Sequence, residues 1–460
     1  MSEAAAGAGA GLFRADGRAF HRPVQARIPG VPHVPALPVV GIVPRLLRDP
    51  ARGLLDLFER HGPVFTTRVN GPVCLALGPE ANETVLKTNV GAFSAGEGNR
   101  EFSWLMGEPV ETIDGDAHRR VRAALHGPLK GPGLRQVAPL IGQVVHSTLA
   151  SWDTVSIVEA MRLLSLRVIV RVVLGGMDAD LPRLERLFDS FTRGFFAPKV
   201  PLPGLPYRRS LAARDAIDDW LQANISAVRQ RGPGAGTVLD LLLRGAGELT
   251  PRELLDNLRI MVFAGQETTA SIMSWAIIHL ALDRALWQAL CDEVPAGQTL
   301  PDSIRRDAQA FPVIRALLNE TLRRYTPAWY VPRRVCTDDA VIHGHALPFG
   351  TMVAFSPLAT HHMHAFWPDP FRFDITRWRP GAMPSGNLFL PFGNGPHTCL
   401  GAAFAMLEMT LVLAALAAAR RRPELCGEYD LRPQLLPLPH PPRRVRIRFV
   451  SEIGRTGITE

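Results

Sequence analysis

Lysine is nearly missing from this 460-residue chain: Lys87, Lys130 and Lys199 stand among 51 basic residues, so arginine carries almost all of the positive charge. Arginine codons are GC-rich and lysine codons are not, which points to a GC-rich bacterial genome. The net charge is +8, yet no block of five or six like charges occurs, which argues against a nucleic-acid-binding face or a polybasic tail. Cysteine is sparse too. Cys74, Cys291, Cys336, Cys399 and Cys426 lie far apart with no CxxC, which excludes a disulfide framework or zinc ribbon and fits a reducing cytoplasm. The start lacks a positively charged segment followed by an apolar run, so no signal peptide is expected. The most apolar early stretch, residues 31–44, carries four prolines in fourteen residues and cannot form the continuous helix of about 20 apolar residues that spans a bilayer. No internal repeat is visible.

What is present is ordinary globular composition, 47% apolar and 20% charged. At about 150 residues per domain, the length alone suggests about three domains. Residues 1–30 begin with an Ala/Gly run and read as a flexible arm, 31–450 as the body and 451–460 as a tail. Two short strands flank Asn70-Gly71, a hairpin signal. From about residue 80 to 325 the spacing is helical, interrupted by the Pro/Gly-rich loop 197–206. Residues 331–398 read as short strands and turns, 400–420 as an apolar helix, and Val445, Ile447 and Phe449 alternate with arginines as a strand. The class is mainly α with a small β-rich portion. Thr250-Pro251-Arg252-Glu253 forms a capping box that opens a helix running to about Asp283, about 50 Å long and apolar nearly all round past Ile260.

The chemistry concentrates in FGNGPHTCLG, Phe392 to Gly401. Gly393 and Gly395 permit a tight turn against a bulky partner. Cys399 then sits just before a helix, where free amide N–H groups favour a thiolate, the form a soft metal ligand needs. This segment resembles the haem-binding loop of the cytochrome P450 family, FxxGxxxCxG, at every fixed position, including Phe392, Gly393 and Gly401. The resemblance runs through further motifs in order from about residue 30 to 450. It implies a single domain of triangular architecture, haem b held without covalent attachment, and Cys399 as axial ligand to the iron.

Three further motifs carry it. Glu320-Thr-Leu-Arg323 resembles the family's ExxR and places both side chains on one helix face; Arg377 matches the third member of the same charge network, whose implied role is to hold the Cys loop. Ala264-Gly265-Gln266-Glu267-Thr268 resembles AGx(D/E)T. A mid-helix glycine costs about 1 kcal/mol, and one account is that it lets a flat cofactor and dioxygen lie against the helix. Glu267 and Thr268 are the implied catalytic proton relay, though a threonine here can also simply bond back to the preceding turn. For the haem carboxylates the candidates are His118, Arg122, Arg334 and His397.

The resemblance implies a monooxygenase that puts one oxygen atom of O2 into a lipophilic small molecule such as a terpenoid, polyketide or fatty acid. The alternatives are an isomerase or peroxygenase on the same scaffold, which tend to lack the acid–alcohol pair, and a non-catalytic haem sensor. Family topology sets Phe102, Trp104, the Phe188 to Phe196 stretch, Phe263, Trp329, Tyr330 and Leu436 around the substrate. With no flavin or iron–sulfur segment after the final strand, electrons are expected from a separate ferredoxin or flavodoxin, with Arg119 and Arg120 as candidate docking charges. The implied protein is a cytoplasmic monomer with neither nucleic-acid partner nor transmembrane segment.

Overall fold

A computed structural model describes residues 27–452, apart from 39, 48, 70, 196, 233, 235, 246–248, 298–310, 380, 382, 383, 385 and 437. Residues 1–26 of the expected arm, Asn70 of the hairpin and Phe196 therefore lie outside the described residues.

Helices of seven residues or more dominate. In chain order they are α1 (Pro50–His61), α2 (Gly115–Leu129), α3 (Gly131–Ala150), α4 (Ile157–Val168), α5 (Leu181–Gly194) and α6 (Pro206–Arg231). There follow α7 (Val238–Arg244), α8 (Pro251–Leu282), α9 (Arg284–Glu293), α10 (Pro312–Arg324) and α11 (Ala402–Ala418). The strands are β1 (Val64–Arg68), β2 (Pro72–Ala76), β3 (Phe93–Ser94), β4 (Thr154–Ser156), β5 (Val331–Val335), β6 (Val341–Ile342), β7 (His345–Ala346), β8 (Met352–Phe355), β9 (Arg421–Leu425) and β10 (Arg446–Ser451). They form a five-stranded sheet in the order β1-β2-β8-β5-β3, a three-stranded sheet β4-β10-β9 and the pair β6-β7.

The expected β1–β2 pairing is antiparallel, with Val64 opposite Ala76. β3 and β4 interrupt the stretch read as helical. At two and three residues they are too short to show a period-two pattern, and partners far along the chain hold them: β3 on β5, and β4 on β10. In β10, Ile447 and Phe449 are buried while Arg446 and Arg448 face solvent. The strand runs on to Ser451, and Glu452 accepts from Trp287 Nε1 at 3.0 Å, so packing continues two residues past the expected start of the tail.

α8 organises the helical part. Thr250 Oγ1 accepts from Glu253 N at 3.2 Å while Glu253 Oε2 accepts from Thr250 N at 2.8 Å, the reciprocal cap expected from the sequence. Its 32 residues are buried on nearly every face from Leu254 on, against α4, α6 and α10. A Cβ on Gly265 would lie 2.9 Å from Ile169 Cδ1, the end of a flexible side chain, so the glycine also eases the packing of Ile169 against this helix. Its neighbour Ala264 is exposed in the middle of the helix, where the residues around it are buried or half-buried. No helix among the described residues is long and apolar enough to cross a membrane.

α11 packs on α3 and buries one acid, Glu408, whose Oε1 accepts from Ser165 Oγ of α4 at 2.6 Å. Burial raises its pKa to about 8, with the Ser165 hydrogen bond opposing. Between the unfolded value near 4.5 and about 8, the folded chain therefore holds a proton that the unfolded chain has released. Stability should fall as pH rises through that window, by up to about 1.4 kcal/mol per pH unit. Glu408→Gln should flatten that slope in thermal melts between pH 6 and 8, and an unchanged slope would show that Glu408 is not its source.

Candidate active site around Cys399

The Cys399 loop is built by two left-handed glycines. Gly393 has φ +70° and Gly395 φ +69°, and a side chain on Gly395 would collide with the Leu86 carbonyl. Asn394 Oδ1 caps Gly395 N at 2.8 Å, and Cys399 N donates to Phe392 O at 2.8 Å, closing the loop just before α11. Gly401 is the N-cap residue of α11, with no atom within 4 Å of the place a Cβ would take. Burial pushes the Cys399 thiol up, while the N–H groups of Gly401 and Ala402 and the Arg122 charge pull it down. The residue is nonetheless exposed by surface area, so it faces an internal space rather than packed atoms.

Beside it lies a cluster of donors. Arg122 Nη2 donates to Thr398 O at 2.7 Å. The His118 and His397 rings face each other at 4.1 Å, and His118 Nε2 and His397 Nδ1 are buried without a hydrogen-bond partner. His397 Nε2 lies 3.4 Å from Asp114 Oδ1. Burial alone would raise the Asp114 pKa, but hydrogen bonds from His397, Ser94, Gly96 and Ala95 hold it well below the usual range. Burial lowers His118 to about 4, helped by the His397 and Arg122 charges. Arg334 lies on β5, where it pairs with Ser94 of β3, its Nε donates to Gly350 O at 3.1 Å and its near charges are Glu97 and Arg100; the β5 arginine that feels Asp114 is its buried neighbour Arg333, on the other face of the strand. Two unpartnered imidazole nitrogens beside arginines suit an anionic group with two carboxylates, as haem carries.

Glu320 and Arg323 on α10 are fully buried. Arg323 Nη2 and Nε meet the two Glu320 oxygens at 2.7 and 2.8 Å, and Arg377 Nε lies 3.4 Å from Oε1. Asp374 N and Trp378 Nε1 donate to the same carboxylate at 2.9 and 3.0 Å. Sequence reasoning missed His361. Arg323 Nη1 donates to its carbonyl at 2.8 Å, and its ring Nε2 accepts from Leu390 N at 2.8 Å. The other nitrogen, Nδ1, therefore carries the proton and donates to Thr326 Oγ1 at 2.7 Å. Leu390 O in turn accepts from Gly393 N at 3.1 Å. A continuous path thus joins the ion pair to the Cys399 loop. Burial, then the Arg323 charge, lowers His361 to about 3 and keeps the ring neutral. A histidine in a His-rich turn carries no local mark of this role.

Glu267 is buried on α8 and bound by Arg162 of α4, through Nε at 2.8 Å and Nη2 at 2.7 Å. Arg162 also reaches Glu159 at 3.0 Å, and that three-residue spacing looks like a surface pair in the sequence. Thr268 Oγ1 donates to Ala264 O at 2.6 Å, so the back-bond to the preceding turn is present. Phe195 stacks on Phe263 at 4.8 Å and meets Phe102 at 5.4 Å, bringing three segments together. Trp104 packs beside this group on Tyr207 at 4.6 Å, and Phe188 is buried against Phe191. Trp329 and Tyr330 pack against the cluster that includes Val34, Ile42 and Leu435, with Tyr330 also within reach of the Glu101 charge beside Phe102, and Leu436 is exposed. Arg119 and Arg120 are exposed as expected, but each is held by an acid, Asp116 and Glu253.

Comparison with known proteins follows the same lines. The family profile described as Cytochrome P450 matches residues 31–417. Cytochrome P450 BJ-4 of Bradyrhizobium diazoefficiens is 32% identical over 446 residues, covering 93% of this chain and 95% of that protein. Putative cytochrome P450 135B1 of Mycobacterium tuberculosis is 31% identical, covering 90% of each. Among solved structures, retinoic acid-bound cyanobacterial CYP120A1 matches with TM-score 0.82 at 25% identity, over 92% of this chain and 100% of that one. The cytochrome P450DA heme domain matches in fold, with TM-score 0.80 at 20% identity over 94% of this chain and 100% of that one.

Glu320→Ala should leave Arg323 buried without its counter-charge and cost about 3–5 kcal/mol of unfolding free energy. His361→Leu removes the acceptor of one buried N–H and should cost about 1–3 kcal/mol. Denaturant titration reads both, and a His361→Leu protein as stable as the parent would remove that ring from the path.

Proposed function

The chain belongs to the cytochrome P450 family of haem-thiolate monooxygenases, whose cofactor is haem b, and we propose on that premise that Cys399 is the axial iron ligand for oxygenation of a lipophilic small molecule. The observation that carries the assignment is the setting of Cys399. It combines a thiol facing an internal space, the first N–H groups of α11, and two unpartnered histidine nitrogens nearby. Cys74 and Cys291 are instead buried. Cys336 donates to the Gly91 carbonyl at 3.2 Å.

Haem bound through a thiolate supplies dioxygen activation, since sulfur donates the electron density that favours O–O cleavage. The chain supplies the rest. His118, Arg122, Arg334 and His397 receive the haem carboxylates. Glu320, Arg323 and Arg377 hold the loop in place through His361 and Leu390. Glu267 and Thr268 handle protons. Arg162 pairs with Glu267 at 2.7 Å, and release of that pair frees the carboxylate to carry a proton toward the Thr268 hydroxyl, whose own hydrogen rests on the Ala264 carbonyl.

The cluster of Phe102, Phe195 and Phe263 supports a lipophilic substrate, as does the retinoic acid held by one solved relative. Terpenoids, polyketides and fatty acids share that chemistry. None of the five cysteines stands in an iron–sulfur pattern, so we assign electron supply to a separate ferredoxin or flavodoxin. The same free, scattered thiols support a cytoplasmic setting.

The test is spectroscopic first. Reduced protein with carbon monoxide should show the strongly red-shifted Soret band of a thiolate ligand, and Cys399→His should lose it; survival of the band would overturn the ligand assignment. Thr268→Ala should keep haem and dioxygen binding yet raise hydrogen peroxide released per electron severalfold. An unchanged peroxide yield would take Thr268 out of proton delivery.

A further inference from the structure

Arg259 lies on α8 one helical turn before Phe263 and ties three separate parts of the chain together. Its side chain is fully buried. Nη1 donates to both oxygens of Asp218 on α6, at 2.7 and 2.9 Å. Nη2 donates to Asp256, three residues earlier on α8, and to the Met106 carbonyl at 3.1 Å. Neighbouring residues extend the same joint. Glu108 N and Val110 N donate to Asp256 Oδ2 and Asn257 Oδ1 at 3.1 and 2.9 Å. Gly107 has φ +75°, and a side chain there would collide with the Asp256 carboxylate.

α6 grips the same segment further along its own length. Arg214 Nη1 donates to Trp104 O at 2.5 Å, and the Tyr207 ring packs on the Trp104 ring. A Cβ on Gly194, the last residue of α5, would lie 2.5 Å from Ser210 Cβ of α6, so α5 abuts α6 just before Phe195. The three rings that meet at 4.8 and 5.4 Å thus stand on or beside the three parts that Arg259 joins. Phe102 leads into residues 104–110, Phe195 stands where α5 abuts α6, and Phe263 is on α8. Taking a guanidinium out of water is costly, and apolar side chains could fill the same place without that cost. What the guanidinium adds is direction, because its planar fork fixes where each acceptor stands.

We propose that Arg259 is a positioning residue for the substrate wall. With Asp218 it sets how closely α6 and residues 104–110 stand against α8, and so how tightly the three rings fit around an apolar group. The inference rests on the reading of Phe102, Phe195 and Phe263 as that wall and of Cys399 as haem ligand. Arg259 itself touches neither substrate nor cofactor and acts through the rings.

The experiment uses two ligands of haem iron, imidazole and 4-phenylimidazole, on haem-loaded protein. Both bond iron through the same kind of ring nitrogen, so the ratio of their affinities, read from the Soret shift, isolates what the wall gives the phenyl group. In the parent the phenyl compound should bind about tenfold more tightly or better. Asp218→Ala cuts the α6 tie yet leaves Arg259 its Asp256 counter-charge, so the chain keeps its fold. It should lower the ratio severalfold through weaker 4-phenylimidazole binding alone, with imidazole affinity and the reduced carbon monoxide band unchanged. Asp218→Asn keeps an acceptor for Nη1 and should recover part of the loss. Amide hydrogen exchange over residues 104–110 should quicken in Asp218→Ala and less so in Asp218→Asn. An unchanged ratio in Asp218→Ala overturns the inference and leaves the haem assignment intact. A parent with no preference for the phenyl compound overturns the ring wall and the inference with it. Protein that shows no Soret shift with imidazole overturns the haem assignment, while unchanged exchange, a measurement that needs no haem, overturns the positioning role by itself.

Discussion

The ion pair between Glu320 and Arg323 is the contact on which the site depends. Both side chains are fully buried, and two charges in that position persist only when every remaining hydrogen-bonding atom finds a partner. Here they do. The carboxylate collects Asp374, Trp378 and Arg377, and the guanidinium reaches the carbonyls of His361, Pro370 and Arg372. Residues 361–378 wander without regular structure for most of their length and make few ladder bonds of their own. The buried pair takes the place of those bonds. It fixes an irregular segment as firmly as a sheet would, and the Cys399 loop is hung from that segment.

A second constraint is electrostatic. Arg122, His118, His397 and Arg333 converge from α2, β5 and the Cys399 loop, while Asp114 is the main acid facing them. Burial lowers the pKa values of His118, Arg333 and Arg334, which is the signature of positive groups held where water cannot serve them. A site of this kind is complete only with an anion. The α8 side is the reverse: Glu267 is matched at once by Arg162, and the walls are mostly rings. The thiolate side of the site thus awaits negative charge, while on the α8 side the Glu267 charge is already matched by Arg162.

Much of this was legible in the sequence where the signal is local. The Thr250 cap, the alternation in β10 and the paired glycines before Cys399 each express a short-range rule, and the structure follows them. Glu320 and Arg323 were legible through the resemblance to the family's ExxR, since the same three-residue spacing at Glu159 and Arg162 reads as a surface pair. What the sequence hid depends on chain segments meeting from far away. His361 and Leu390 are 29 residues apart and Arg162 and Glu267 are 105 apart, and no spacing rule links either pair. β3 and β4 exist because their partners do.

The neutral ring of His361 has one more consequence. Both nitrogens are committed, one as donor and one as acceptor, and a second proton would have to displace the Leu390 N–H. The imidazole thus works as a fixed spacer with a built-in direction, unable to register acidity over the range in which histidines usually titrate. The suspension of the Cys399 loop is in that sense buffered by its own wiring. The geometry behind the sulfur therefore stays as it was folded while the acidity outside changes through that range.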